Sequence, residues 1–327
     1  MRTAEGKRCP CGSSTAIVDR DAGCKVYRHA DKTGDFVMTS YRVFPGITLT
    51  YNDVHMQACA AEHPKRDTVF EINHCREGRI EYECRDAFCY LTPGDLSVGC
   101  KAGMGQGAYF PLRHYYGITI AVDVAAAPKC LSCFLDDVNV HPANLMQKFC
   151  AGGKNFIARS NSSIEHIFSE LYFVSDAIKK GYFKVKILEL FLFLSALDIA
   201  HNEAGAHSVS KTHATLAKNV CKYLSEHMDS RITLEMLSEV FHVSGTSIKN
   251  SFRSVYGVSV YSYIRSQKMQ KAAFQLKQTD MAVLEIAGQL GYDNGSKFAK
   301  AFRDCYGTSP SDYRKIALSG VSAERTG

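Results

Sequence analysis

The chain has 327 residues, 46% of them apolar and 22% charged, with 39 Lys and Arg against 33 Asp and Glu for a net charge of +6. That balance excludes an intrinsically disordered chain, and the length allows two ordinary domains with cores of their own. No basic-then-apolar export segment opens the sequence, and its most apolar run, ILELFLFLSAL from Ile187 to Leu197, is too short to span a bilayer and contains Glu189, so a cytoplasmic protein with no membrane partner is expected.

Residues 1–34 read as an N-terminal extension, with Cys9 and Cys11 in a polar head. From Asp35 to Val124 short β-favouring runs alternate with turn residues: DFVMTSYRVFPGITLTYNDVH, TVFEINHCREGRIEYECRDAFCYLTPGDLSVG and YYGITIAVDV. Val69, Glu71 and Asn73 alternate with Phe70, Ile72 and His74, and REG and TPGD have turn chemistry. This pattern predicts an all-β sandwich or barrel with one apolar interior.

Helices follow. SSIEHIFSELYFVSDAIKK places Ile164, Ile167, Phe168, Leu171 and Ile178 at helical spacing, with Ser162 or Ser163 as cap. A second helix over roughly residues 184–201 is apolar around most of its girth. The two form a hairpin that needs cover on more than one side: the β domain, and either a second copy of the chain, giving a homodimer through residues 162–201, or further internal packing. The polar stretch HNEAGAHSVSK at 201–211 then joins two domains. We divide the chain into a β and hairpin domain over 35–205, a linker over 206–211, a helical domain over 212–318 and a tail over 319–327.

The helical domain holds 14 Lys and Arg against 9 Asp and Glu, so +5 of the +6 net charge lies there, as suits a polyanionic partner. It repeats one plan at an offset of fifty residues. LEMLSEVF, a break at HVS, and GTSIKNSFRSVYG are matched by MAVLEIAGQL, a break at GYDN, and GSKFAKAFRDCYG. Ser244 aligns with Asn294, Ile248 with Phe298, Phe252 with Phe302 and Arg253 with Arg303.

Ile248, Phe252 and Val255 form an apolar stripe on the first terminal helix, as do Phe298, Phe302 and Cys305 on the second. Turned away from them are Thr246, Lys249, Asn250 and Arg253, and Gly295, Ser296, Lys297, Lys300 and Arg303. Small residues let a helix N-terminus approach DNA, while amide and ammonium groups donate to base edges and phosphates. Solvated cations on an ordinary helical domain explain any one of these positions, but not their duplication after a fixed break.

Between the units SVYSYIRSQKMQKAAFQL, capped by Ser259, sets Lys268 in the otherwise apolar series Val260, Ile264, Ala272 and Leu276. Its ammonium is expected to pair with a carboxylate or to reach the surface. After Gly307, TSPSDYRK starts a closing helix with Ser309 as cap and Pro310 at its first position.

These matched stretches, over about residues 212–316, resemble the DNA-binding domain of the AraC/XylS family of bacterial transcription regulators. The resemblance implies two helix-turn-helix units joined by one helix and bound to duplex promoter DNA, with RNA polymerase as a further partner. It assigns base reading to Thr246, Lys249, Asn250, Gly295, Ser296, Lys297 and Lys300; Arg253 and Arg303 we assign to phosphate. Two departures stand out: Lys268 replaces the family's usual Arg and lacks its planar fork, and Gly295 brings no side chain to a reading position.

FEINHCREGRIEYECRDAFCYLTPGDLSVG resembles the cupin-like sensor domain of many such regulators, which implies a small-molecule effector inside a barrel. No His-x-His pair occurs, so His55, His63, His74 and His114 read as packed or surface residues, and no enzyme activity or cofactor is expected. The 13 cysteines, with no export signal, read as mostly reduced thiols. Cys9, Cys11, Cys130 and Cys133 could bind metal or act as a thiol switch, but there is only one Cys-x-x-Cys pair, so inert thiols are the expectation. The competing readings are a redox- or metal-responsive regulator using those cysteines and a protein-interaction scaffold.

Overall fold

The structure, a computed structural model, describes residues 16–21, 23–31, 34–59, 67–84, 87–100, 108–129, 131, 140–151, 155–199, 208–230 and 232–316. The chain divides into two compact units, Met1–Ser208 and Val209–Gly327.

The first unit is mostly β-sheet. Its strands are β1 (Ala16–Asp21), β2 (Cys24–Asp31), β3 (Gly34–Phe44), β4 (Ile47–Met56), β5 (Ala58–Cys59), β6 (Val69–Gly78), β7 (Ile80–Cys84), β8 (Ala87–Leu91), β9 (Leu96–Cys100), β10 (Ala108–Tyr109), β11 (Tyr115–Asp123) and β12 (Phe156–Ala158). One sheet of eight runs β1-β2-β3-β4-β11-β6-β9-β12, and a second has the neighbours β8-β7-β10-β5, so the strands do not close into one barrel. Strands β1 and β2 precede Asp35, where the sequence reading begins its β region; in β2 buried Cys24 and Val26 alternate with exposed or half-buried neighbours.

Both faces of the large sheet are covered at its centre, so β6 is buried at Val69, Phe70 and Ile72 to Cys75 rather than on alternate residues. One face carries Ile47, Leu49, Phe70, Ile72, Val98, Ile118 and Ile120, packed with helices α1 (Pro142–Cys150), α2 (Ser162–Leu171) and α3 (Lys179–Ala196). The other carries Phe36, Val54, Met56, Cys75 and Tyr115, clustered with Leu91 from β8 of the second sheet. Asn161, rather than Ser162 or Ser163, caps α2: its side-chain oxygen accepts from the Ser163 and Ile164 amides, both at 3.0 Å. Helix α3 starts five residues before the expected Lys184 and ends at Ala196. Its buried Lys186 is held by Glu170 at 2.7 Å and Glu189 at 2.9 Å.

The second unit is helical: α4 (Lys211–Glu226), α5 (Leu234–Phe241), α6 (Gly245–Tyr256), α7 (Val260–Gln278), α8 (Val283–Gln289), α9 (Gly295–Tyr306) and α10 (310–316). Among the described residues, no helix is long and apolar enough to cross a membrane.

Candidate nucleic-acid interface

Helices α6 and α9 start and stop by the same local chemistry. Ser244 accepts from the Ser247 amide at 3.2 Å, and Asn294 accepts from those of Ser296 and Lys297 at 2.8 and 3.2 Å. These side chains satisfy donors that the first turn leaves unpaired. At the far ends Gly257 and Gly307 take left-handed backbone with φ 74° and 72°, and each amide donates to an arginine carbonyl, Arg253 or Arg303, at 2.8 Å. An L-residue adopts that conformation only with strain, which explains the glycine at both positions.

Behind each helix lies the same aromatic arrangement. Phe252 stacks on Tyr256 with centroids 4.3 Å apart and meets Tyr263 edge-on at 5.4 Å and 74°. Fifty residues on, Phe302 stacks on Tyr306 at 4.8 Å and meets Tyr313 at 5.3 Å and 74°. The repeat therefore extends beyond the paired helices into the first turn of α7 and into α10. The breaks before α6 and α9 differ, however. His242, at φ 54°, takes the left-handed position in the three residues between α5 and α6, whereas five residues separate α8 from α9, with Gly291 at φ 72°.

Ile248, Phe252 and Val255 are fully buried, as are Phe298 and Phe302. Cys305 is a correction to the sequence reading: it is exposed, and Ala301 completes the α9 stripe instead. Lys268 is a second correction. It is buried, and among the described residues its ammonium is held by no carboxylate; it donates to the Ser230 carbonyl at 3.5 Å and lies 5.8 Å from the centroid of the Tyr292 ring. Burial pushes its pKa down, against the attraction of Asp229.

Thr246, Lys249, Asn250 and Arg253 are exposed on α6, and Ser296, Lys297, Lys300 and Arg303 on α9. Gly295 is half-buried, and a Cβ there would lie 2.5 Å from a methyl of Leu284, so its lack of a side chain suits the approach of α8 to α9. Among the described residues Arg253, Lys297, Lys300 and Arg303 form no ion pair, which leaves their charges available to an anionic partner. Lys249 has an acidic neighbour in Glu235, whose carboxyl is held below its usual range by its own backbone amide and Thr233, with attraction from Lys249 added.

Cys9, Cys11, Cys130 and Cys133 lie outside the described residues. The sequence reading did not connect Asp53, His55 and His114, which β4 and the residue before β11 bring together. Their separation along the chain gives no local signal.

Residues 237–316 match a family model described as a helix-turn-helix domain. The chain is 37% identical over 100 residues to the uncharacterized HTH-type transcriptional regulator YdiP of Escherichia coli, covering 31% of this chain and 33% of that protein. It is 27% identical over 150 residues to the arabinose operon regulatory protein of Escherichia coli, covering 45% and 51%. It is also 27% identical over 103 residues to the regulatory protein SoxS of Escherichia coli, covering 32% of this chain and 96% of SoxS. The chain thus spans about a third of YdiP and about half of the arabinose operon regulatory protein.

Proposed function

We propose that this chain, a member of the AraC/XylS family of transcription regulators, binds promoter DNA sequence-specifically through two helix-turn-helix units, α5 with α6 and α8 with α9. One observation carries the reading: the cap, buried stripe, left-handed glycine and exposed cationic face of α6 recur on α9 fifty residues later. Packing alone would account for a repeated buried face; a repeated outer face of cations and amides fits two contacts with one periodic polyanion. Helix α7, nineteen residues long, is about 28 Å from end to end at the usual rise. That length is comparable with the roughly 34 Å between successive major grooves on one side of a duplex.

In this reading Thr246, Lys249, Asn250, Ser296, Lys297 and Lys300 face base edges or adjacent backbone, Gly295 permits close approach, and Arg253 and Arg303 hold phosphates. The first unit serves as the cupin-like sensor and dimerisation part, joined through the linker at 206–211. A polar ladder with buried Asn52 and Asn73 on either side of half-buried Thr119 supports an effector site on its sheet: Asn52 donates to Thr119 at 2.9 Å and Thr119 to Asn73 at 2.7 Å. Phe173, Ile178 and Val185, exposed on and between α2 and α3, supply apolar surface for a second copy. The effector shifts the population of the DNA-fitting state by binding that state more tightly.

The test is selection of fragments from sheared genomic DNA by the full-length chain, followed by titration of the most enriched duplex against a scrambled one at matched salt. Preference for the enriched duplex is the expected result. Failure to retain any fragment at low salt would favour the scaffold reading.

A further inference from the structure

We propose that Asp53, His55 and His114 form a binding site for one divalent transition-metal ion of the zinc class, toward the end of β4, on the face of the large sheet that carries Ile47 and Leu49. Asp53 and His55 lie two residues apart on β4 and so project to the same side, while Val54 between them enters the core. His114 immediately precedes β11, whose Tyr115 pairs with Val54 and whose Tyr116 pairs with Asp53. The register thus sets His114 beside His55, and one potential ligand atom from each of the three residues lies within 4.8 Å of the other two. His55 Nε2 and Asp53 Oδ1 are 3.0 Å apart.

Zinc bonds of about 2.0–2.2 Å in a tetrahedron place neighbouring ligand atoms about 3.3–3.6 Å apart. The observed spacing lies close enough for small rotations of these half-buried or exposed side chains to close the site. Two imidazoles and a carboxylate are ligands that suit zinc and its first-row neighbours rather than magnesium or calcium. A second carboxylate stands at the edge of the group: a Glu77 oxygen is 3.3 Å from His114 Nε2.

Two surface pairs, His55 with Asp53 and His114 with Glu77, each an imidazole against a carboxylate, are the ordinary explanation of these distances taken one at a time. The two rings are also stacked on each other, with centroids 5.2 Å apart and planes 24° apart, so that both imidazoles and both carboxylates meet at one place, where a shared cation would give the carboxylates a common positive partner. The ion would tie β4 to the start of β11 within the first unit. This site is separate from the cysteines considered in the sequence reading.

The experiment uses full-length protein carrying Cys→Ser changes at Cys9, Cys11, Cys130 and Cys133, stripped with a chelator and titrated with Co²⁺ and then Zn²⁺. One Co²⁺ per chain is expected, without the intense near-ultraviolet band of thiolate coordination, and displaced by Zn²⁺. His55→Ala and His114→Ala should each weaken binding by about tenfold or more, and Glu77→Gln by less, with unchanged circular dichroism. His166→Ala, a histidine outside the group, should leave binding unchanged. No saturable binding, a thiolate band, or equal affinity in the double variant His55→Ala/His114→Ala would overturn the site and leave the ion pairs as the explanation.

Discussion

Gly291 lies so close to Asp229 that a Cβ on the glycine would sit 2.4 Å from the Asp229 carbonyl oxygen. Its φ of 72° is also one that L-residues avoid. Gly307 has the same φ of 72° but open space where its Cβ would be. The pair therefore separates two effects. Gly307→Ala should lower stability by about 1 kcal/mol, from backbone strain alone. Gly291→Ala should cost at least twice that, because a backbone carbonyl must also move. Urea midpoints of the two variants check the order, and equal losses would mean that the turn before α9 adjusts freely.

Lys268 fills a space between α7 and the turn before α9 while its ammonium is poorly compensated there. Lys268→Met keeps most of the packing and removes the desolvation cost, so stability near neutral pH should be unchanged or higher by up to about 1 kcal/mol. Lys268→Ala should lose about 2 kcal/mol through the cavity it leaves. Because the folded pKa is depressed below 10.5, the neutral form favours folding. Its contribution is complete above the unfolded value and is lost as pH falls through the folded one. Wild type should therefore gain stability relative to Lys268→Met as pH is raised toward 10.5, as read by denaturant unfolding.

His74 gives an acid-side counterpart in the first unit. Its ring stacks on Phe168 at 4.2 Å and 4°, Nδ1 is 3.0 Å from the Tyr172 hydroxyl, and buried Nε2 has no partner among the described residues. Burial pushes its pKa down to about 4 from 6.5. Stability from the neutral ring is fully present above 6.5 and is lost as pH falls through the folded value. Across that window the loss is on the order of 3 kcal/mol, at about 1.4 kcal/mol per pH unit. His74→Phe should flatten that part of the curve by about one proton in linkage, even if the lost Tyr172 bond lowers stability at pH 7. A parallel wild-type and variant curve would place the acid sensitivity elsewhere.

Features governed by neighbours in sequence were the legible ones. Ser244, Asn294, Ser259 and Ser309 each cap the helix they precede, and Gly257 and Gly307 end theirs, because caps and left-handed turns depend on a few consecutive residues. Depth was harder to read. The i, i+4 spacing put Lys268 on the correct face, but periodicity does not say how far that face is covered. At Cys305 the periodic stripe runs on to a helix end where little packs against it. Helix α1 was missed, and the Asp53, His55 and His114 grouping depends on strand register, which sequence pattern alone leaves open. The matched aromatic trios were hidden for another reason: Tyr263 and Tyr313 belong to the helices that follow the repeated pairs.

The two terminal helices are expected to contribute unequally to DNA recognition. On α6, Lys249 and Asn250 are exposed and adjacent, with Asn250 able to donate and accept at one base edge. Asn250→Ala or Lys249→Ala should reduce discrimination between the selected duplex and a scrambled one by roughly 1–3 kcal/mol. Arg253→Ala and Arg303→Ala should weaken binding to both duplexes and each lower the salt slope by about one. On α9, Gly295 has no side chain, while Lys297 and Lys300 are exposed point charges with no ion pair among the described residues. An ammonium contacts phosphate without the fixed geometry of a bidentate fork. Lys297→Ala and Lys300→Ala should therefore resemble the arginine variants more than Asn250→Ala. Competition binding over a range of salt concentrations separates the two classes. Loss confined to the selected duplex in the Lys297 and Lys300 variants, or equal loss on both duplexes in the Lys249 and Asn250 variants, would reverse the assignment.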